Sequence, residues 1–190
     1  AGLRISRQPL TEQRVFILGA GAAGVGIARR IRTAMETEGL SPEDARRRVA
    51  LFDSRAVGHD GREGLDPYKA ALAWDAEWAQ QVGGLDDPTE FVRAFKPTVL
   101  VGTTGHPNTF TEDMIRSMAE HCAVPMVFPY STPTSKAEAH PKDILRWTNG
   151  TALVASGSPF GTVQYQGRDI KIGQGNNAYI FPGVGLGALA

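Results

Sequence analysis

Three glycines at a fixed spacing form the first candidate binding motif of this sequence. They stand in Gly19-Ala-Gly21-Ala-Ala-Gly24, which follows the apolar run 14–18 and leads into a pattern of helical spacing. In such a loop the first glycine permits a tight turn, the second leaves room for a phosphate, and the third lets helix and strand pack closely. The helix N-terminus then offers N–H groups and a partial positive charge to a pyrophosphate. We therefore predict a dinucleotide-binding loop, with a purely structural turn as the alternative, and the predicted cofactor-binding residues are Gly19, Gly21, Ala22, Ala23 and Gly24.

An acid ends the second apolar run, at Asp53 of residues 49–53. A carboxylate at that point of a dinucleotide fold accepts hydrogen bonds from the adenosine ribose hydroxyls and repels the 2′-phosphate of NADP, so Asp53 favours NAD. Ser54 and Arg55 are predicted to lie in the same site. Together with Lys69 they could hold the 2′-phosphate of NADP, so NADP remains the alternative cofactor. The alternative for Asp53 is a residue that caps a turn at the end of a strand.

Two further loops carry small hydroxyl residues where apolar runs end. They are Gly102-Thr-Thr-Gly105, after residues 97–102, and Tyr130-Ser-Thr-Pro-Thr134, after residues 125–128. Ligands of open α/β sheets gather outside the carboxyl ends of the strands, where small residues let a flat nicotinamide approach the backbone. A plain polar loop is the alternative for each. The residues predicted to join the cofactor site are Gly102, Thr103, Thr104, Ser131 and Thr132.

The elements that must position these loops alternate along the chain. Strands are predicted over 14–18, 49–53, 97–102, 125–128 and 152–155, and helices over 22–38, 66–81, 111–121 and 135–147. Strands that alternate with helices predict a mostly parallel sheet, and short β-rich runs around Gln166-Gly167 predict a small hairpin. The predicted fold class is α/β, a Rossmann-type doubly wound sheet with helices on both faces and a small C-terminal hairpin. We expect one domain over residues 1–190, with residues 1–10 as the remnant of a preceding helix or linker.

Composition narrows the classes of partner. The chain has 20 Lys and Arg against 20 Asp and Glu, so its formal net charge is zero. A balanced chain has no overall field to hold nucleic acid or an anionic membrane, and we expect neither as a partner. The single cysteine, Cys122, leaves no internal disulfide and fits a reducing compartment. We expect a cytoplasmic protein, with an organelle such as the mitochondrion left open.

Several strings further along the chain make a family resemblance specific. With the glycine loop, and in this order, they closely resemble the NAD-binding domain of malic enzymes: Leu51-Phe-Asp-Ser54, Lys96-Pro-Thr-Val-Leu-Val-Gly102, Phe110-Thr-Glu, Ser131-Thr-Pro-Thr-Ser-Lys-Ala-Glu138, Ala155-Ser-Gly-Ser-Pro-Phe160 and Gln174-Gly-Asn-Asn-Ala-Tyr-Ile-Phe-Pro-Gly183. The resemblance implies oxidation of (S)-malate with hydride transfer to NAD(P), followed by metal-assisted decarboxylation to pyruvate. The glycine loop and Asp53 then take the cofactor roles given above.

The resemblance also implies two substrate contacts from asparagines. One carries over to Asn176 or Asn177, whose amides can donate to a carboxylate and accept from a hydroxyl; capping of a following helix is the alternative for this pair. The other falls on Thr132, because the loop reads Ser131-Thr-Pro-Thr134 where the family has asparagine in second place. Threonine has no amide and cannot make the contact of an asparagine, so weaker malate binding and an altered substrate are the two alternatives.

The family's tyrosine acid, lysine base and the carboxylates for Mg²⁺ or Mn²⁺ lie upstream of the matching segment. We therefore expect no catalytic residue and no metal ligand in this chain, and we expect a missing N-terminal domain to be its partner. The histidines agree, since they are scattered without ligand spacing: His59, His106, His121 and His140. The resemblance suggests a homo-oligomer, and the fragment alone is expected to be inactive. A malolactic enzyme domain and a non-catalytic NAD-sensing module are the alternative functions.

Overall fold

A computed structural model describes residues 2–176, and a six-stranded parallel sheet organises them. Its strands run in the order β2-β1-β3-β4-β5-β8, and every neighbouring pair is parallel. The strand bounds are β1 Val15–Leu18, β2 Val49–Phe52, β3 Val99–Gly102, β4 Met126–Pro129, β5 Leu153–Ser156, β6 Thr162–Tyr165, β7 Arg168–Lys171 and β8 Gly173–Gln174. The predicted strands and the parallel sheet are confirmed.

Helices cover both faces of this sheet, as the prediction of a doubly wound fold requires. Their bounds are α1 Gly2–Ser6, α2 Ala22–Thr37, α3 Pro42–Arg48, α4 Pro67–Ala70, α5 Ala76–Val82, α6 Pro88–Phe95, α7 Glu112–His121 and α8 Pro141–Trp147. Alternate residues of β1 divide between two buried clusters: Phe16 packs with residues of α6 and α7, and Ile17 packs with residues of α2 and α3. Every residue of β1, β2 and β3 is buried, which explains why these strands read as continuous apolar runs.

The strand order places a crevice at one defined point. β1 has β2 on one side and β3 on the other, so the connections leaving β1 and β2 run to opposite faces of the sheet. Ligands of open α/β sheets bind at this switch point, outside the carboxyl ends of the strands. The loops that begin at Gly19 and at Thr103 therefore flank the predicted ligand crevice.

Two of the predicted helices are wrong in extent. The segment 66–81 holds two short helices, because Asp75 caps a new one and Trp74 between them is extended and paired with Gly58. The segment 135–147 is α-helical only from Pro141, whose ring favours an extended residue before it; a short 3-10 helix over Thr134–Lys136 precedes it.

The predicted hairpin is confirmed as β6 and β7. Gln166 and Gly167 have positive φ angles of 47° and 73°, which is the backbone of a type I′ turn. None of the helices found between residues 2 and 176 is long and apolar enough to cross a membrane.

Candidate dinucleotide site

Two glycines of the loop after β1 are required by the chain itself. Gly19 has a φ of +112°, and a Cβ there would lie 2.5 Å from the backbone of Thr103. A Cβ on Gly24 would lie 1.9 Å from the carbonyl oxygen of Gly19, so helix α2 could not pack at its present distance from the loop. Thr103 also stabilises this loop, because its hydroxyl donates to the Gly19 carbonyl at 2.8 Å. The first and third glycines thus serve the turn and the close packing that the sequence predicted.

Gly21 differs from both of them. Its φ is −79°, an ordinary value for any residue, and a Cβ built on it meets nothing within 4 Å. Neither conformation nor packing within the described chain therefore demands glycine at this position. A small residue that leaves open space at the start of a helix fits a group that must approach the backbone closely from outside.

The N-terminus of α2 is open to such a group. Gly21 is its N-cap residue, no side chain caps it, and its first turn contains no acid. Helices α3 to α8, by contrast, each begin with a side chain that accepts from a first-turn N–H: Ser41, Asp66, Asp75, Asp87, Thr111 and His140. The first-turn N–H groups and the positive end of the α2 dipole are therefore available to an anion.

One cleft of about 600 Å³ opens on the β2 side of this helix start. Its walls include residues predicted for three parts of the cofactor: Asp53, Ser54 and Lys69 for the adenosine end, Gly19 and Gly21 for the pyrophosphate, and Thr103 and Thr104 for the nicotinamide end. Arg55, predicted for the same site, is exposed and is not among the lining residues. The Lys69 ammonium lies 3.3 Å from Asp66, so its charge is shared with that carboxylate.

Asp53 lies in this cleft with partners that sequence reasoning missed. Arg62 Nη2 donates to both carboxylate oxygens, at 3.0 and 3.2 Å, and the N–H groups of Arg55 and Ala56 donate to one of them. Burial raises the pKa of this carboxyl, but the hydrogen bonds from Arg62 and the two N–H groups outweigh it and lower the pKa overall. Asp53 therefore does cap a turn, and its ribose contact stays a prediction. No motif in the sequence indicates that Arg62 lies against Asp53.

A second cleft of about 690 Å³ opens on the β4 side of the same helix start. It contains predicted residues from three loops and shares Thr103 with the first cleft: Ala23, Thr103, Ser131, Thr132 and Asn176 line it. Ala22, between Gly21 of the first cleft and Ala23 of the second, is exposed. The two clefts therefore meet at the uncapped end of α2.

The loop after β5 closes the far side of the second cleft. Gly157 packs so tightly that a Cβ there would lie 2.1 Å from the Tyr130 carbonyl oxygen. Asn176 Nδ2 donates to the Gly157 carbonyl at 3.0 Å, which places this predicted substrate contact on the cleft wall. Thr132 is exposed on the same wall, and Asn177 lies outside the described residues.

Gly102, also predicted for the cofactor site, lines neither cleft. A Cβ on it would lie 2.4 Å from the carboxyl carbon of Glu138, so its missing side chain makes room for that group. Glu138 is fully buried and was not singled out from the sequence. Its presence in the string Ser131–Glu138 was the only available signal.

No group of three or more His, Cys, Asp or Glu side chains that could hold a metal ion occurs within residues 2–176. The chemistry that this arrangement supports is binding of an extended anion-bearing ligand across the two clefts.

Comparison with known proteins agrees with this geometry. The sequence profile of the family described as malic enzyme, NAD binding domain, matches residues 1–190. The NAD-dependent malic enzyme of Sodalis glossinidius is 47% identical over 194 residues, and that of Acinetobacter baylyi is 44% identical over 193. Each alignment covers 100% of this chain and 34% of the relative, so the chain spans about a third of the length of these relatives.

Solved structures show the same fold. A malic enzyme from Entamoeba histolytica superposes with a TM-score of 0.72 at 23% identity, over 99% of this chain and 34% of that one. An NAD-dependent malic enzyme from Thermotoga maritima superposes with a TM-score of 0.71 at 19% identity, over 99% of this chain and 42% of that one.

Proposed function

The chain belongs to the family of malic enzyme NAD-binding domains, and on that premise we propose that it supplies the cofactor site of a malate-oxidising, decarboxylating enzyme. The reaction would convert malate and NAD⁺ to pyruvate, CO₂ and NADH. The observation that carries the proposal is the uncapped start of α2 at Gly21, where two clefts meet.

The residues fit one dinucleotide laid across both clefts. The pyrophosphate would accept hydrogen bonds from the first-turn N–H groups of α2, in the space that a side chain at position 21 would fill. The adenosine half would lie in the first cleft beside Asp53, and the nicotinamide half in the second, between the loops after β3 and β4. When bound, the nicotinamide ring of NAD⁺ would accept the hydride. The residues of this chain would hold the cofactor and orient its two halves.

NAD is the proposed cofactor rather than NADP. The Asp53 carboxyl, whose pKa is lowered, is ionised at neutral pH and would repel the 2′-phosphate of NADP. The positive charge of Arg62 is already engaged, because its guanidinium forms an ion pair with Asp53 at 3.0 Å and both side chains are largely buried. The name of the relatives as NAD-dependent enzymes supports the same choice.

Malate is proposed to bind in the second cleft, near Asn176, where an amide can serve a carboxylate or a hydroxyl. The acid, the base and the Mg²⁺ or Mn²⁺ ligands are proposed to come from another part of the full-length enzyme. We further propose a cytoplasmic, homo-oligomeric enzyme.

Thr132 favours one second candidate, a non-catalytic NAD-sensing module. Its side chain has no amide to offer malate where the resemblance places an asparagine. Assay of the full-length protein with Mn²⁺, malate and NAD separates the two: NADH and pyruvate support the enzyme, whereas NAD binding without turnover supports the sensor.

Two glycine variants test the cofactor site in the chain as it stands. Gly21→Val places a side chain in the proposed phosphate path, and calorimetry should show at least about a hundredfold loss of NAD affinity. Gly26→Val is the matched control, because Gly26 also has open space around it, lies one turn further along α2 and lines neither cleft. Equal NAD affinity in the two folded variants would overturn the assignment.

A further inference from the structure

A fully buried carboxylate lies beneath the junction of the two loops that bound the second cleft. Glu138 Oε1 accepts from the backbone N–H of Thr104 at 2.8 Å and from its hydroxyl at 3.0 Å. The same oxygen accepts from the Ser131 hydroxyl at 2.5 Å, and Oε2 accepts from the Ser131 N–H at 3.2 Å. One side chain therefore binds the loop after β3 and the loop after β4 at once.

The link extends to a third backbone group. The Ser131 oxygen, while donating to Glu138, accepts from the N–H of Gly105 at 2.8 Å. Ser131 and Gly105 both line the second cleft, whereas Glu138 itself lies behind its wall. The carboxylate thus fixes two wall residues without touching the cleft.

The surrounding chain is built to admit this carboxylate. Gly102, the last residue of β3, has no side chain where a Cβ would lie within 2.4 to 2.7 Å of three Glu138 atoms. The backbone of Glu138 is held as well, because its carbonyl accepts from the Phe110 N–H at 3.1 Å. Both the position and the orientation of the side chain are therefore fixed.

Stability alone does not account for a group of this kind. The ion pairs found among residues 2–176 do not include Glu138, so N–H and O–H donors compensate its burial without a cation. Burial of a carboxylate is costly, and apolar residues of similar volume often serve stability equally well. What an apolar residue could not supply is a fixed hydrogen-bond geometry for two loops.

We propose that Glu138 is a positioning residue for the nicotinamide half of the cofactor: its buried carboxylate clamps Thr104 to Ser131 and so sets the shape of the second cleft. This inference rests on the proposed function of that cleft. Glu138 acts through Ser131 and Gly105 and has no contact with the ligand itself.

Binding of two ligands to the 190-residue chain tests the inference. NAD should use both clefts, whereas ADP should use only the first cleft and the α2 N-terminus. Glu138→Gln keeps the shape of the side chain but places an N–H₂ group against N–H and O–H donors. We expect it to weaken NAD about tenfold and ADP less than about twofold. Glu120→Gln, at an exposed position of α7, is the control that should change neither.

Amide hydrogen exchange reads the clamp directly, without any ligand. In Glu138→Gln the N–H groups of Thr104 and Gly105 should exchange at least about tenfold faster, while those of β1 stay protected. Thr104→Val and Thr104→Ser give a second pair of variants should Glu138→Gln fail to fold. Because Thr104 also lines the first cleft, these two variants are compared by hydrogen exchange: the serine variant keeps the hydroxyl and should keep the Gly105 N–H protected, and the valine variant should lose that protection.

Each outcome decides one question. Unchanged NAD affinity in Glu138→Gln, or equal losses for NAD and ADP, would overturn the positioning role. A wild-type chain that binds neither ligand would instead overturn the proposed function, even if the exchange data showed the clamp to be intact.

Discussion

The two clefts flank the same helix start but are built by different means. The first is shaped by backbone and empty space, with Gly19 and Gly24 making close contacts and Gly21 leaving a gap. The second is shaped by a buried side chain, Glu138, that hydrogen bonds to two loops. The difference shows two ways to hold one extended ligand: a rigid backbone turn suits an anion, and a network of polar side chains suits an oriented ring.

The largest loss of stability is expected from a substitution at Gly24, in the glycine loop that shapes the first cleft. Gly24→Ala should lower the free energy of unfolding by about 3 kcal/mol or more, because its Cβ would overlap the Gly19 carbonyl and drive α2 off the loop. Gly21→Ala should change it by less than about 1 kcal/mol, since its Cβ meets nothing. Urea denaturation of the two variants measures both. Equal costs would contradict the claim that only one of these glycines serves packing.

The next largest loss of stability is expected behind the second cleft, at Gly102 and Glu138. Gly102→Ala should cost about 2 to 3 kcal/mol because its Cβ would strike the carboxylate. In combination with Glu138→Ala the Cβ has room, so the double variant should be more stable than the sum of the two single losses predicts, by about 1 kcal/mol or more. Thermal or urea unfolding of the four proteins completes the cycle, and strict additivity would show that Gly102 does not exist to make room for Glu138.

A smaller loss of stability is expected when the ion pair between Arg62 and Asp53 in the first cleft is removed. Arg62→Ala should cost about 1 to 2 kcal/mol at neutral pH, since the half-buried Asp53 carboxylate loses the Nη2 group that donates to both of its oxygens. Because the pKa of Asp53 is lowered in the folded protein, its contribution is fully present above the ordinary carboxyl pKa. That contribution is lost as the pH falls through the lower, folded value.

Urea denaturation at a series of pH values tests whether this contribution to stability is lost towards acid pH. The difference between wild type and Arg62→Ala should shrink on acidification below about pH 4. A difference that grows towards acid pH would mean that Arg62 does not act through the ionised carboxylate.

The smallest expected effect concerns cofactor choice. Asp53→Asn should improve the affinity for NADP relative to NAD by about tenfold, because the charge that repels a 2′-phosphate is gone. Calorimetric titration with each cofactor measures the ratio. An unchanged ratio would assign Asp53 to the turn alone.

The strands and the glycine loop were predicted correctly because their sequence signals are local: an apolar run that stops at glycine, followed at once by helical spacing. The single helix over 66–81 was wrong because a tertiary contact overrides the local pattern. The Trp74 indole donates to the Val49 carbonyl at 2.9 Å, and the Trp74 backbone forms an isolated bridge with His59, so the helix is interrupted at this residue.

The polar partners inside the clefts could not be predicted from the sequence. Glu138 bonds to Thr104 across 34 positions of sequence, and a glutamate in a polar string is ordinarily a solvated residue. Arg62 reaches Asp53 from a loop whose course no periodic pattern fixes. Long-range hydrogen bonds of this kind depend on where the sheet brings the loops together.

We propose that one dinucleotide spans both clefts across the open end of α2, and an NMR titration of the amide groups of this chain with NAD tests that arrangement. We expect the signals of Ala22 at the helix start, of Ser54 in the first cleft, and of Gly105 and Ser131 in the second cleft to shift together with one midpoint. ADP should move only the signals of Ala22 and Ser54. Shifts confined to one cleft on addition of NAD, or an unmoved signal at Ala22, would show that no single dinucleotide spans the two clefts.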